Sequence, residues 1–324
     1  MALYSKHRPA SLRPHLMKPL LAFALWVGCC TIAPAQSANL AVKPSRPLPA
    51  VEHVVIISVD GLRPDCLLLA EAPVLHGLIK SGAYTMWART IPAAVTLPSH
   101  TSMLTGVTPE KHGIGWNGSP APGEPVHPQV PTIFERAACA GYQTALIAGK
   151  AKFSALNKPG TVTFVSILGG AQGTDANVAA EAVKIIGQHR PGLVFIHFPG
   201  VDAAGHASGW GSPEQLAAIA ALDRHIGAVL ATLEQAALRE TTVIIISADH
   251  GGAGLAHGPD DARSRHIPWI VAGPGVRRGF DLTRIGKLQI NTEDTCATAC
   301  WLLGLERPAY FDGRALTEAF DPAR

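Results

Sequence analysis

The chain has 324 residues, 47% hydrophobic and 16% charged, with a formal net charge of +3. That much apolar material supports a large buried core and excludes a wholly disordered chain. No basic tract or basic patch interleaved with aromatics occurs, so a nucleic-acid docking surface is not indicated.

The N-terminal stretch carries Lys6, His7, Arg8, Arg13 and Lys18, then the apolar run PLLAFALWVGCCTIA and the small residues APAQSA. This layout predicts a secretory signal peptide over residues 1–38, cleaved after Ala38 or after Ala35, and hence a periplasmic or secreted protein. An uncleaved anchor, or a lipid attached at Cys29, is the alternative link to a membrane. Residues 39–49, with three prolines, read as a flexible lead-in, and residues 50–324 as one α/β domain. Cys66, Cys139, Cys296 and Cys300 form no paired metal-binding pattern and read mostly as small buried apolar residues.

Within that domain HVVIISVDGL reads as a buried strand ending at Asp60. PSHTSMLT reads as a short helix, with Pro98 in its first turn and Gly106 just beyond it. PTIFERAACAGY is helical and QTALIAGK is a strand. PGLVFIHF is a strand followed by Asp202 and His206. The segment SPEQLAAIAALDRHIGAVLATLEQAAL is a helix capped by Ser212, with Pro213 in its first turn. TTVIIISADHGG is a strand ending at Asp249 and His250. Continuous apolar strands alternating with helices predict a doubly wound, mostly parallel sheet sandwiched by helices, whose ligands bind beyond the carboxyl ends of the strands.

One acidic residue after a strand serves turns and caps. Here a single sheet edge collects Asp60, Asp202, His206, Asp249, His250 and His257. Burying carboxylates unpaired is costly, and carboxylate oxygens mixed with imidazoles, without thiolates, suit zinc or a similar divalent transition metal. A metal also gives a role to TIPAAVTLPSHTSMLTG, which has six hydroxyls and no carboxylate. A hydroxyl is a weak nucleophile until a base or a metal takes its proton. Thr96 stands at the start of the short helix, where the dipole favours an anion, and is the expected nucleophile. Ser99, Thr101, Ser102 and Thr105 fall inside the helix, and Thr90 lies too far upstream.

The motifs VDGLRPD, TLPSHTSMLTG, DAAGH and SADHGG, in this order, resemble those of the alkaline phosphatase superfamily. The threonine brings the chain nearest the type I nucleotide pyrophosphatase/phosphodiesterase family. The resemblance runs from about Val54 to Leu316 and implies an alkaline phosphatase-like catalytic domain holding two Zn2+ or other divalent ions. By that likeness Asp60, Thr96, Asp249 and His250 hold one ion. Asp202, His206 and a third histidine hold the other. Larger family members take the third histidine from a late H-G-Y-x-N motif that is missing here. Shorter ones carry a His-Gly soon after Asp-His-Gly, which implies His257 in GLAHGPDD, with His266 in RSRHIPW as the competitor or a core residue. Asn117 in GIGWNG matches the family's phosphate-contacting asparagine.

The remaining candidates have plainer readings. His100 braces the Thr96 turn, His112 matches a family turn residue, and His197 fills core inside its strand. Lys150 and Lys152 follow a strand and face the same edge, and Lys150 is expected to bind substrate. Trp87 and Trp116 are the candidates for an aromatic clamp. The expected reaction is hydrolysis of small phosphodiesters or nucleotide pyrophosphates through a phosphothreonine at Thr96. A phosphomonoesterase or phosphonate hydrolase on the same site is the alternative. From another class, a non-catalytic metal-binding interaction protein sits poorly with so full a ligand set. Sulfatase chemistry uses a cysteine- or serine-derived residue where this chain has Thr96. The diester preference rests on an absence, since no arginine stands beside Thr96 and Arg89 precedes the loop.

Overall fold

Runs of valine and isoleucine decide the centre of the sheet, because β-branched side chains favour extended backbone and these runs leave no polar face for solvent. A computed structural model describes residues 45–259 and 261–321. The signal-peptide segment, Cys29 and most of the lead-in lie outside the described residues, and residues 40–324 group as one compact unit.

The strands are β1 (His53–Val59), β2 (Ala83–Arg89), β3 (Thr144–Ala148), β4 (Phe164–Ile167), β5 (Leu193–Phe198), β6 (Thr242–Ser247), β7 (His266–Ala272) and β8 (Phe280–Asp281). They form a single sheet in the order β4-β3-β5-β1-β6-β7-β2-β8. From β4 to β6 every pairing is parallel, while β7 runs antiparallel to both β6 and β2. β3, β5 and β6 are buried along their whole length, and β1 along all but its first residue.

The helices are α1 (Pro64–Leu69), α2 (Pro73–Ser81), α3 (Thr96–Thr105), α4 (Pro109–His112), α5 (Ile133–Cys139), α6 (Asp175–His189), α7 (Gly200–Ser208), α8 (Pro213–Gln235), α9 (Ala262–Arg265) and α10 (Asp294–Leu302). α5 begins on a capping box in which Thr132 and Glu135 exchange hydrogen bonds, and the Ser212 side chain accepts from the Gln215 amide to start α8. α3 ends at Gly106, whose φ of +73° is the left-handed conformation that stops a helix. Every residue of α3 is buried, so its hydroxyls turn inward instead of reaching solvent. Thr101 and Thr105 bond carbonyls one turn back, whereas Ser99 accepts from Thr90 and Ser102 pairs with His112. Cys66, Cys296 and Cys300 are buried; Cys139 departs from the expectation and is exposed.

This strand order puts β1 between β5 and β6, so the loops leaving three adjacent parallel strands open at one edge. Gly61, just after β1, has a φ of +73°, and a Cβ there would meet the Asp202 backbone at 2.9 Å. Only glycine lets the end of β1 come so close to α7.

Candidate metal centre

Asp60 follows β1, Asp249 and His250 follow β6, and Asp202 and His206 lie one turn apart on α7 after β5. An i, i+4 pair shares one helix face, and the His206 Nε2 lies 3.4 Å from Asp202 Oδ1. His257, on the loop after β6, brings its Nε2 within 3.9 Å of the same oxygen. His250 Nε2 lies 3.4 Å from Asp60 Oδ1 and 3.2 Å from Asp249 Oδ2. Two groups therefore gather ligand atoms within 4.8 Å of one another: Asp202, His206 and His257, and Asp60, Asp202 and His250.

Each of these histidines is oriented by a backbone carbonyl. His206 Nδ1 bonds Leu255 O, His250 Nδ1 bonds Gly251 O, and His257 Nδ1 bonds Ala94 O, at 2.9, 2.9 and 2.7 Å. A carbonyl only accepts, so Nδ1 carries the proton and the Nε2 lone pair faces the carboxylates. That is the arrangement by which a partner behind the ring orients a metal-binding imidazole. His250 and His257 stack with centroids 3.6 Å apart.

Asp60 Oδ1, Asp202 Oδ1, Asp249 Oδ2 and His250 Nε2 are buried without a hydrogen-bond partner, four of the seven such side-chain atoms among the described residues. Buried polar groups are otherwise almost always paired, because an unmade bond forfeits hydration. Four orphaned lone pairs converging from beyond three strand ends is what a cation-binding site needs, and this donor set fits a divalent transition metal.

The opposite oxygens are engaged. Asp60 Oδ2 accepts from His197 Nε2 at 2.9 Å and faces Lys150 Nζ at 2.6 Å. Lys150 also donates to Asp202 Oδ2 at 2.6 Å, and Gly61 N–H donates to Asp249 Oδ1 at 3.1 Å. Burial works against ionisation of Asp60, yet the Lys150 charge and the His197 bond hold its carboxyl well below the usual range. Burial, then the Asp60 charge, push Asp249 far up and Asp202 up. One ammonium cannot neutralise three carboxylates, so Asp202 rises even though it touches Lys150. Burial opposes the Lys150 charge, but its two aspartates raise its pKa above the ordinary lysine value. Burial pushes His250 down to about 3, which keeps it a neutral donor at working pH.

Thr96 is the first residue of α3 and is 2% exposed. Two contacts tie its turn to the centre. His100 Nδ1 bonds Thr96 O at 2.8 Å and lies 3.5 Å from Asp249 Oδ2, while His257 holds Ala94 O. Asn117 Oδ1 accepts from both Leu97 N–H (2.9 Å) and Lys152 Nζ (3.1 Å). Both donors fix the amide so that its oxygen points inward, and the amide nitrogen has no protein partner among the described residues. The Leu97 amide is thus occupied, while the Thr96 N–H at this helix start has no protein partner among the described residues.

Three expectations change. His197 fills core in β5, packed on Phe153, but it does more than that: it donates to Asp60, and the Gly149 N–H approaches its Nδ1 at 3.3 Å. The β1–β5 register, Ser58 opposite His197, puts it there, and a single-strand pattern carries no such information. His266 lies outside both ligand groups; it bonds Ala262 O, sits edge-on to Trp87 at 5.0 Å and is not core-packed. Lys150 is engaged by two candidate ligand carboxylates, so its first partner is the centre itself. As for the aromatic candidates, Trp87 is exposed and Trp116 donates to Pro125 O.

A model of the type I phosphodiesterase/nucleotide pyrophosphatase family matches residues 54–263. The chain is 25% identical over 277 residues to the human (Homo sapiens) GPI ethanolamine phosphate transferase 2 catalytic subunit, covering 81% of this chain and 27% of that protein. It is 25% identical over 250 residues to mouse (Mus musculus) ectonucleotide pyrophosphatase/phosphodiesterase family member 3, covering 70% and 27%. The chain therefore spans about a quarter of the length of these curated relatives. In structure it resembles murine ectonucleotide pyrophosphatase/phosphodiesterase 5, solved as an inactive variant with AMP, with a TM-score of 0.70 at 16% identity over 83% of this chain and 100% of that one. A phosphonate monoester hydrolase from Silicibacter pomeroyi shares the alkaline phosphatase-like fold with a TM-score of 0.62 at 18% identity, covering 82% and 76%.

Proposed function

The chain belongs to the type I phosphodiesterase/nucleotide pyrophosphatase family, and from that premise we propose that it is a two-metal hydrolase of small phosphodiesters or nucleotide pyrophosphates, with Thr96 as nucleophile. The observation that carries the reading is the convergence of four orphaned ligand atoms at the strand ends, tied through His100 and His257 to the turn that presents Thr96. Asp60, Asp249, His250 and Thr96 would hold one ion; Asp202, His206 and His257 would hold the other. Zinc suits both donor sets. The export signal read from residues 1–38 puts this chemistry in the periplasm or outside the cell.

When bound, two divalent ions supply the charge that lowers the pKa of a coordinated hydroxyl and offsets charge on the phosphoryl and leaving oxygens. The chain supplies the rest. Thr96 Oγ1 forms a bond to phosphorus as the bond to the leaving oxygen breaks, and the threonine proton passes through solvent to the departing alcohol or phosphate. Water then cleaves the phosphothreonine, its hydroxide going to phosphorus and its proton restoring Thr96. The Asn117 amide and the Thr96 N–H donate to the non-bridging oxygens, positioning them for in-line attack.

The test is turnover of bis(p-nitrophenyl) phosphate by zinc-restored protein. Thr96→Ala is expected to lose at least about a thousandfold in kcat/KM, roughly 4 kcal/mol, while keeping its fold and at least one metal equivalent. Thr96→Ser, which loses only a methyl group, retains substantial activity. Ordinary turnover by Thr96→Ala would show that water attacks directly. Metal analysis separates the histidines, with one equivalent lost in His257→Ala and both kept in His266→Ala.

A further inference from the structure

The diester preference expected from the sequence rests on the lack of an arginine beside Thr96, and Lys152 brings a different cation to the phosphoryl-binding group. It lies in the 3-10 turn Ala151–Leu156 that follows β3, with Nζ 3.1 Å from Asn117 Oδ1. The next residue, Phe153, is fully buried and packs on the rings of His197 and His100 at 4.3 and 4.8 Å, which anchors the turn against the back of the centre.

The two neighbouring lysines are placed differently. Lys150 is taken up by Asp60 and Asp202, whereas Lys152 has no carboxylate within ion-pair range among the described residues. Burial and then the Lys150 charge disfavour its ammonium. A half-buried lysine whose only partner among the described residues is a neutral amide oxygen has N–H groups to spare and gains most from an arriving anion. Because Asn117 Oδ1 accepts from Leu97 and Lys152 together, the Asn117 amide nitrogen and the Lys152 ammonium form a neutral-plus-cationic donor pair.

Phosphate esters differ in what they offer such a pair. A diester has two non-bridging oxygens and one negative charge. A monoester dianion has three such oxygens and a second charge, and its third oxygen stands where the diester carries its other ester group. We infer that Lys152 binds this third oxygen, so that the centre also hydrolyses phosphomonoesters; the inference rests on the two-metal reading above. In that reaction Thr96 Oγ1 bonds to phosphorus, the ester bond breaks, and the alcohol leaves with the threonine proton. Water then releases inorganic phosphate and restores Thr96, so one water is consumed per ester.

The experiment compares kcat/KM for p-nitrophenyl phosphate and bis(p-nitrophenyl) phosphate in zinc-restored wild type, Lys152→Ala and Lys152→Arg, with inorganic phosphate binding measured by equilibrium dialysis. The wild-type monoester value is expected within about tenfold of the diester value. Lys152→Ala is expected to lower the monoester-to-diester ratio at least about tenfold and to weaken phosphate binding by a similar factor, and Lys152→Arg to recover part of both. A wild type that prefers the diester more than about a hundredfold overturns the inference. So does a Lys152→Ala ratio equal to that of wild type, which would make Lys152 only a brace for Asn117. Wild-type protein that turns over neither ester sinks the two-metal reading instead. Lys152 is then judged by dialysis alone, and equal phosphate affinity in wild type and Lys152→Ala overturns its role.

Discussion

Asp223 and Asp294 are buried as deeply as Asp60, Asp202 and Asp249, but their oxygens meet different groups. Asp223 accepts from the Val74 and Leu75 amides and caps α2, one oxygen to each. Asp294 accepts from the Asn291 and Arg314 amides and pins the chain around α10. In both, each oxygen has a backbone donor and none is left over. The three strand-end aspartates each keep one oxygen without a partner. A carboxylate fully satisfied by amides contributes to the fold, whereas one kept half-satisfied costs stability that only a ligand recovers. Depth of burial does not separate the two kinds; the fate of the second oxygen does.

Asp249→Asn puts the greatest strain on this contrast. It is expected to lower zinc-restored turnover by at least about a thousandfold, roughly 4 kcal/mol, and to lose metal. The metal-free variant should nevertheless be no less stable than wild type in urea. The Asp249 pKa is raised in the folded state, so its contribution to stability is intact at low pH and is lost as pH rises through that raised value. The advantage of Asp249→Asn therefore grows from pH 5 to pH 8. A variant destabilised at both pH values would put Asp249 with the structural aspartates.

Glu293 gives a case outside both candidate ligand groups. It is 8% exposed, and burial raises its carboxyl to about 7. Its folded pKa exceeds the unfolded value, so its contribution is present below about pH 4.5 and lost as pH rises toward 7. Glu293→Gln should gain up to about 3 kcal/mol relative to wild type at pH 8.5 and nothing at pH 4.5. Urea unfolding of the metal-free proteins at the two pH values reads this directly, and a pH-independent difference would contradict it.

Asp223→Asn tests the opposite class. One buried amide loses its charged acceptor, so stability should fall by about 1–3 kcal/mol, with metal content and turnover per folded molecule unchanged. The smallest effect is in proton counting. Burial raises the Asp249 carboxyl far above the ordinary aspartate value and Asp202 above it, which biases both toward holding a proton in the absence of metal, so zinc uptake at mildly acidic pH should release protons. Calorimetry in two buffers of different ionisation enthalpy measures the number, and a value of zero would show these carboxyls already ionised.

What could be read in the chain follows its local chemistry. Apolar β-branched runs that stop at Asp60 and at Asp249-His250 define strand ends, and the Asp202–His206 spacing defines one helix face. Pro98 in the first turn and Gly106 just past the end bound α3, which puts Thr96 at its first turn. Each of these signals lies within a few residues of the group it positions.

The tertiary structure alone decided which groups face each other across strands. His197 acts on Asp60 because β5 pairs with β1 in the register that sets Ser58 opposite His197. Lys150 bridges Asp60 and Asp202 because β3 lies on the other side of β5. Lys152 reaches Asn117 across 35 positions in the chain. Strand order and register are set by pairings between distant segments, and the period-two alternation of a strand is the same whichever neighbour it takes.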